Sequence, residues 1–376
     1  MNVNLFRKIY NYFSYINKRI CNQINYNNKG NNKYEINSKI LQKQKENINK
    51  HLYISENKFQ KTSITNIIII YLFFSFLILS KQLIYRQRKL NEISSEIIIK
   101  INESGLQEIL YKDFQYIPLV YVNETLTELI NTNKVNLNEG DNIIKMVWNI
   151  KLTTCENMFK GLSNITEVDL TKFDSSNVIS TSYMFNECTN LKFININENF
   201  NTSLVTSMNN MFSYCKALIS LNISHFNTTL VKNFDFLFSE CNSLKSLDIS
   251  NFITSLATNM KYMFSGCHLL TSLNLSNFQT LLVTDSQGMF KDCRSLITLN
   301  LSKFNTSRIN NMESMFQNCY SLIYLNLFNF NTSSVTNMKN MFSNCLKLTS
   351  LNISSFSTFS VKYMQNIFSD CNSLTI

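Results

Sequence analysis

The stretch MFSNCLKLTSLNI, residues 341–353, recurs along the second half of the chain every 26 residues, with one interval of 27. Nine pairs mark the copies: Met158-Phe159, Met184-Phe185, Met211-Phe212, Leu237-Phe238, Met263-Phe264, Met289-Phe290, Met315-Phe316, Met341-Phe342 and Ile367-Phe368. A period of this size is typical of repeat proteins in which each unit buries its apolar face against its neighbours. The sequence therefore predicts a solenoid of about nine units.

One repeat predicts one short helix and one short strand. Apolar residues from Val335 to Leu348 follow at steps of three or four, which is the spacing of one helix face. Thr332 precedes this helix and is a residue type that caps free backbone N–H groups. Leu351 and Ile353 then alternate with polar residues, as in a strand with one buried face. We therefore expect an α/β solenoid with a parallel sheet on its concave face.

The repeat as a whole resembles the BspA-like leucine-rich repeat surface-protein family. The features that carry the resemblance are Met-Phe-x-x-Cys-x-x-Leu, then Leu-x-x-Leu-x-[Leu/Ile], then Ser-x-Phe-x-Thr-Ser-x-Val. They extend over about residues 143–376. The resemblance implies a leucine-rich repeat stack, a position on or outside the cell, and a binding function without catalysis.

The net charge of +10 is concentrated at the N-terminus. Residues 1–61 hold 12 Lys and Arg against 3 Glu, whereas residues 155–376 hold 14 against 13 acidic residues. The repeats therefore offer no basic stripe of the kind that follows a phosphate backbone. We expect no nucleic-acid partner.

Five segments follow from composition and pattern. Residues 1–61 are basic, Asn-rich and expected to be disordered, and residues 62–81 are expected to form a transmembrane helix. Residues 82–110 are interpreted as a helical stalk. Residues 111–152 are interpreted as a β-rich N-terminal cap, and residues 153–376 as the repeat domain.

The membrane assignment depends on an uncharged run. Residues 64–80 contain no charged side chain, and Lys61 and Lys81 flank them. The run lies at the short limit for a span of about 17–25 residues. A cleaved signal peptide is disfavoured by the long preceding tail, and a buried helix by the lack of a polar face. The basic tail favours extracellular repeats, but basic residues directly after the run favour the reverse topology.

One cysteine recurs in eight repeats, as Cys188, Cys215, Cys241, Cys267, Cys293, Cys319, Cys345 and Cys371. On neighbouring helices about 8–10 Å apart, such residues would be too distant for a disulfide, because bridged Cα atoms lie within about 7 Å. We expect buried, unreactive thiols. No second ligand type accompanies the column, so we expect neither a metal site nor a cofactor.

Catalytic patterns are missing from the sequence. Its three histidines do not stand at motif spacing from a nucleophile, and no Gly-rich phosphate loop or paired-carboxylate motif occurs. We therefore do not expect an enzyme.

The outward strand positions are the candidate binding surface, which we call the strand face. Its first column is Glu167, Phe193, Ser220, Ser246, Ser272, Thr298, Tyr324 and Ser350. Its second column is Asp169, Asn195, Asn222, Asp248, Asn274, Asn300, Asn326 and Asn352. The candidate partner-binding residues are Phe193, Tyr324, Ser220, Asn222, Ser272 and Asn274, with the two aromatics as anchors. The alternative is that stacked Ser and Asn side chains only bond to one another.

Several Asn-x-Ser/Thr sequons lie in the predicted turns. If the repeats are exposed to the glycosylation machinery, the candidate acceptors are Asn201, Asn227, Asn305 and Asn331.

We therefore predict a membrane-anchored, single-pass surface protein. Its repeats would be extracellular and would bind a protein or glycan ligand for adhesion or recognition. The alternative is a membrane-tethered interaction scaffold that faces the cytosol, where free thiols are common. Association at the uncapped C-terminal edge of the stack is also expected.

Overall fold

The computed structural model describes residues 95–375. The predicted tail, residues 1–61, and the predicted transmembrane helix, residues 62–81, lie outside the described residues. Within residues 95–375 there is no helix whose length and hydrophobicity would let it cross a membrane. The structure gives the predicted single-pass membrane location no support, and that prediction is withdrawn.

The described residues form ten strands and no helix. The strands are β1 (Ser95–Ile101), β2 (Gly105–Glu108), β3 (Leu119–Val122), β4 (Thr125–Thr127), β5 (Lys134–Leu137), β6 (Asn142–Trp148), β7 (Ile165–Asp169), β8 (Phe193–Asn195), β9 (Tyr324–Asn326) and β10 (Ser350–Asn352). Six of them form one sheet in the order β4-β3-β6-β1-β7-β8. Two further sheets pair β9 with β10 and β2 with β5.

The helical stalk predicted for residues 82–110 is wrong where the structure describes it. Strand β1 lies between β6 and β7 and is antiparallel to both. Its alternate residues Ile97, Ile99 and Ile101 are fully buried. β-branched residues at a period of two favour a strand, and pairing on both sides satisfies its backbone. This strand joins the N-terminal strands to the first repeat.

The repeats contain consecutive tight turns where helices were predicted. Two residues in each repeat, such as Tyr262 and Gly266, have left-handed backbone conformations with φ of 53° and 75°. A right-handed helix cannot contain such residues. The N–H groups of Tyr262, Phe264 and Gly266 donate to carbonyl groups of the next repeat, over 2.8–3.0 Å. The intervening N–H groups donate to the carbonyl three residues earlier.

This alternation of bonds explains the failure of the helix prediction. Turns that close over three residues bring apolar side chains to one side at steps of three and four, as a helix does. The backbone groups that a helix would use internally are shared with the neighbouring repeat instead. The predicted α/β leucine-rich repeat solenoid, preceded by a transmembrane helix, is therefore wrong. The described residues form a β-rich stack of repeats.

The buried side chains of this stack form columns. The phenylalanines of the Met-Phe positions stack from Phe159 to Phe368, with ring centroids 5.5–5.8 Å apart and ring planes within 14° of parallel. At the N-terminal end, Trp148 of β6 contacts Phe173 edge to face, with centroids 6.4 Å apart. The core is therefore continuous from the first sheet into the repeats.

The cysteines of residues 95–375 are free, and all except Cys371 are buried. This confirms the prediction of buried, unbridged thiols. Each thiol of the column donates to a phenylalanine carbonyl of the preceding repeat, as Cys267 does to Phe238 over 3.2 Å. Burial raises the pKa of Cys267 well above its usual value, and the neighbouring Cys241 and Cys293 raise it further.

These thiols should be protected in the folded protein. Among the cysteines of residues 95–375, we expect N-ethylmaleimide to modify the half-buried Cys371 first and to leave Cys267 unmodified until the chain unfolds, because burial suppresses the reactive thiolate. Since only the unfolded chain loses these protons above about pH 8.5, the free energy of unfolding should fall as the pH rises further. Peptide mapping by mass spectrometry would test the labelling order. Equal labelling of both cysteines in the native protein would contradict it.

A threonine column makes a second set of bonds between repeats. Thr254 is fully buried. Its hydroxyl donates to the carbonyl of Gln279 over 2.9 Å and accepts from the N–H of the same residue over 2.8 Å. Thr332, predicted to cap a helix, makes the same pair of bonds to Ser357. The hydroxyl group thus donates one hydrogen bond and accepts another, as the backbone of a paired strand would do.

The last described repeat is less covered than the others. The ring of Phe368 is 38 % exposed, whereas that of Phe342, one repeat earlier, is fully buried. The association expected at this edge stays a prediction.

Candidate functional site

The strand face runs along the stack because neighbouring repeats pair in register. Parallel pairing places Phe193 beside Glu167, and Ser220 beside Phe193. Near the other end, Tyr324 pairs with Thr298 and with Ser350. Each column is therefore a line of side chains with one residue per repeat.

Side chains alternate between the two faces of each strand, so these two columns face solvent. Between the two columns lies an apolar residue, such as Leu247 or Leu273, and each of these is 8 % exposed. From Phe193 to Asn352, every residue of the strand face is exposed. The strand face is thus a surface carried by a packed core. Strand pairing links neighbouring repeats from residues 167 to 247 and from 298 to 352, and no bridge is described at residues 272–274.

Most side chains of the second column are held by their own backbone. From Asn222 to Asn352 the side-chain Oδ1 accepts the backbone N–H two residues on, over 3.0–3.4 Å. Because the donor is an N–H group, the atom that faces it is the oxygen. The NH₂ groups of the asparagines in this range are therefore not used in these turn bonds. Within residues 95–375, a hydrogen bond between neighbours in this column occurs at the N-terminal end, where Asn195 donates to Asp169 over 3.3 Å.

The strand face is almost free of charge beyond its first repeat. Between Phe193 and Asn352 its single charged residue is Asp248. The hydroxyl and the backbone N–H of Ser250 both donate to this carboxylate and hold its pKa below its usual value. Asp248 is therefore ionised throughout the neutral range, and the rest of the face is polar and neutral.

The two aromatic candidates are exposed. The side chain of Phe193 is 47 % exposed and that of Tyr324 is 49 % exposed. Each has an exposed isoleucine nearby: Ile323 directly precedes Tyr324, and Ile219 directly precedes the residue that pairs with Phe193. Two small apolar areas thus border the polar columns.

A third exposed aromatic was not among the predicted site residues. Phe328 is 58 % exposed and follows Asn326 by two residues, so it borders the strand face in the repeat of Tyr324. Most other repeats have serine at this position: Ser224, Ser250, Ser276, Ser302 and Ser354. The departure from serine was visible in the sequence, but the predicted fold assigned this position to a turn without a role.

Four overlapping segments of the chain match the family described as Mycoplasma protein of unknown function, DUF285. The matched residues are 153–270, 192–298, 219–322 and 288–376. Together they span residues 153–376, which is more than half of the chain. The protein belongs to the DUF285 family. No curated protein and no solved structure matches the chain.

The overlap of the matches reflects the internal repeat. One family model can match the DUF285 repeats at several overlapping places, because each unit presents the same columns. The resemblance to BspA-like leucine-rich repeat proteins is a separate prediction that these comparisons do not test.

The four candidate glycosylation sites lie at exposed corners of the DUF285 repeats, away from the strand face. Asn201, Asn227, Asn305 and Asn331 are all exposed. Their Oδ1 atoms accept the backbone N–H two residues on, over 2.8–3.1 Å. The corner asparagines therefore share the local geometry of the asparagines on the strand face.

In residues 95–375, no three His, Cys, Asp or Glu side chains come together in a group that could hold a metal ion. The strand face thus offers hydroxyl, amide and aromatic groups, which bind by hydrogen bonding and packing.

Proposed function

We propose that this DUF285 protein is a binding protein for adhesion or recognition, which holds a protein or glycan ligand along its strand face. The exposure of Phe193 and Tyr324 on an otherwise polar face carries the proposal. Exposed aromatic side chains on a rigid surface are the residue types that most often dominate binding energy. A stack of repeats also supplies a long surface with little cost of ordering on binding.

The anchors should be needed for binding but not for folding. In the full-length protein, replacing both Phe193 and Tyr324 by Ala should weaken ligand binding at least tenfold. The melting temperature should stay nearly unchanged, because exposed substitutions alter the free energy of unfolding by about 0.5 kcal/mol or less. Binding isotherms on arrays of defined glycans and purified proteins would measure the first effect, and calorimetry the second.

Phe359→Ala is the matched control, because that ring is 97 % exposed and lies at a corner away from the strand face. Its affinity should equal that of the unchanged protein. Full affinity in the double variant would exclude the strand face as the binding site. An equal loss of thermal stability would show that the two rings are packing residues.

A further inference from the structure

The geometry points to one ligand class for the strand face: we infer a neutral, linear glycan that lies along the stack. Its hydroxyl groups would bond to the asparagine amides, and its sugar rings would pack on Phe193 and Tyr324. This inference rests on the proposed function and names the ligand of that same site.

The asparagine amides of the second column are held in place by their own turns. The Oδ1 atoms of Asn274, Asn300 and Asn326 are bonded to their own turns over 3.0–3.1 Å. In these repeats the NH₂ group is therefore left free of the turn bond, beside an exposed hydroxyl such as that of Ser272, whereas the repeat of Asp248 presents a carboxylate at this position. Fixed donors lose little side-chain entropy on binding. A ligand with many hydroxyl groups can bond to every member of such a row.

The low charge of the strand face favours a neutral ligand. Between Phe193 and Asn352 the strand face carries only Asp248 as an ionised group. An anionic or cationic polymer would meet no complementary row of charges here. A neutral chain of sugars needs no complementary charges. The carboxylate of Asp248 can accept hydrogen bonds from the sugar hydroxyl groups.

The spacing between repeats favours a chain of sugars over a peptide. Paired strands lie about 4.8 Å apart, whereas an extended peptide advances by about 3.3 Å per residue. A peptide along the stack would therefore lose register with the amides within a few repeats. A pyranose unit in an extended chain advances by about one inter-strand spacing, so successive sugars can meet successive repeats.

The aromatic rings would close the ends of the site. Phe193 and Tyr324 lie in the second and seventh repeats, which places them about 24 Å apart at the usual strand spacing. Phe328 adds a second exposed ring at the Tyr324 end. The apolar faces of terminal sugars can pack on these rings, as apolar surfaces do on exposed aromatics.

The test uses the full-length chain and neutral linear oligosaccharides of glucose, mannose and N-acetylglucosamine, from disaccharide to octasaccharide. Affinity measured by calorimetry should rise with chain length up to about six units, which corresponds to the span between the two anchors. In the double variant Asn274→Ser and Asn300→Ser, affinity for the longer chains should fall about tenfold. Serine can still accept the turn N–H, so the fold should be kept.

The control is the double variant Asn305→Ser and Asn331→Ser, which makes the same change in corner turns of the same geometry. Its affinity should not change. If no oligosaccharide binds, the glycan inference is wrong. The proposed function would still stand if a protein ligand loses affinity in the Phe193→Ala and Tyr324→Ala variant. Oligosaccharide binding that survives both the serine and the alanine variants would overturn the inference, because the glycan would then bind outside the strand face. The proposed function would be overturned if a protein ligand also kept its full affinity in the alanine variant.

Discussion

Replacing Phe264 by Ala is expected to lower the free energy of unfolding by about 3–5 kcal/mol. The ring is fully buried and stacks between Phe238 and Phe290, with centroid distances of 5.8 and 5.7 Å. Its removal leaves a cavity between two rings that the parallel backbones above and below cannot close. Because the repeats form a nearly one-dimensional array, the damage should fall mainly on adjacent repeats.

Denaturant unfolding would measure this loss, and amide hydrogen exchange would locate it. Phe328→Ala is the matched control, because the same residue type is removed from an exposed position. We expect that variant to change the free energy of unfolding by about 0.5 kcal/mol or less. A similar cost for the two substitutions would mean that the column of rings does not hold the stack together.

Replacing Thr254 by Val should cost about 2–4 kcal/mol, although the two side chains have nearly the same shape. The hydroxyl satisfies both the N–H and the carbonyl of Gln279. Valine would leave both backbone groups without a partner at a buried position, and each unsatisfied group costs about 1–3 kcal/mol. Thermal and denaturant unfolding of the variant would measure the effect.

Thr254→Ser is the matched control, because it keeps the hydroxyl. The first repeat has Ser175 at this position, and its hydroxyl donates to the Asn201 carbonyl over 3.0 Å. The serine variant should therefore keep most of the stability. Equal losses in the valine and serine variants would show that the methyl group, and not the hydroxyl, is what the site requires.

The sequence predicted the positions of the strand-face residues better than it predicted the backbone conformation of each repeat. The two outward columns followed from the period of two at residues such as Leu351 and Ile353, and pairing between repeats does not alter that period. Phe193 and Tyr324 stood out because they break a repeating Ser or Thr position. Phe328 departs from a repeating Ser position in the same way. It was missed because the turn after the strand was not predicted to form part of a binding surface.

The helix prediction failed because spacing alone does not fix backbone conformation. Apolar residues at steps of three and four fit a helix and also a series of tight turns. Left-handed conformations at residues such as Tyr262 and Glu240 decide between them. Tyr and Glu do not favour that conformation, but most of the equivalent positions in other repeats hold Gly, Asn or Asp, which do. The helix prediction followed the apolar spacing and did not use this signal. The isoleucines of β1 were likewise assigned to a stalk because their strand partners, residues 142–148 and 165–169, are distant in sequence.

By itself, the sequence determined the period, the buried columns of phenylalanine and cysteine, and the polar columns of the strand face. These follow from side-chain chemistry repeated at a fixed interval, which any stacked fold must place in line. Only the tertiary structure decided where the backbone hydrogen bonds go. In these repeats many N–H groups find their carbonyl in the neighbouring repeat, so one unit considered alone lacks the partner that selects a turn over a helix.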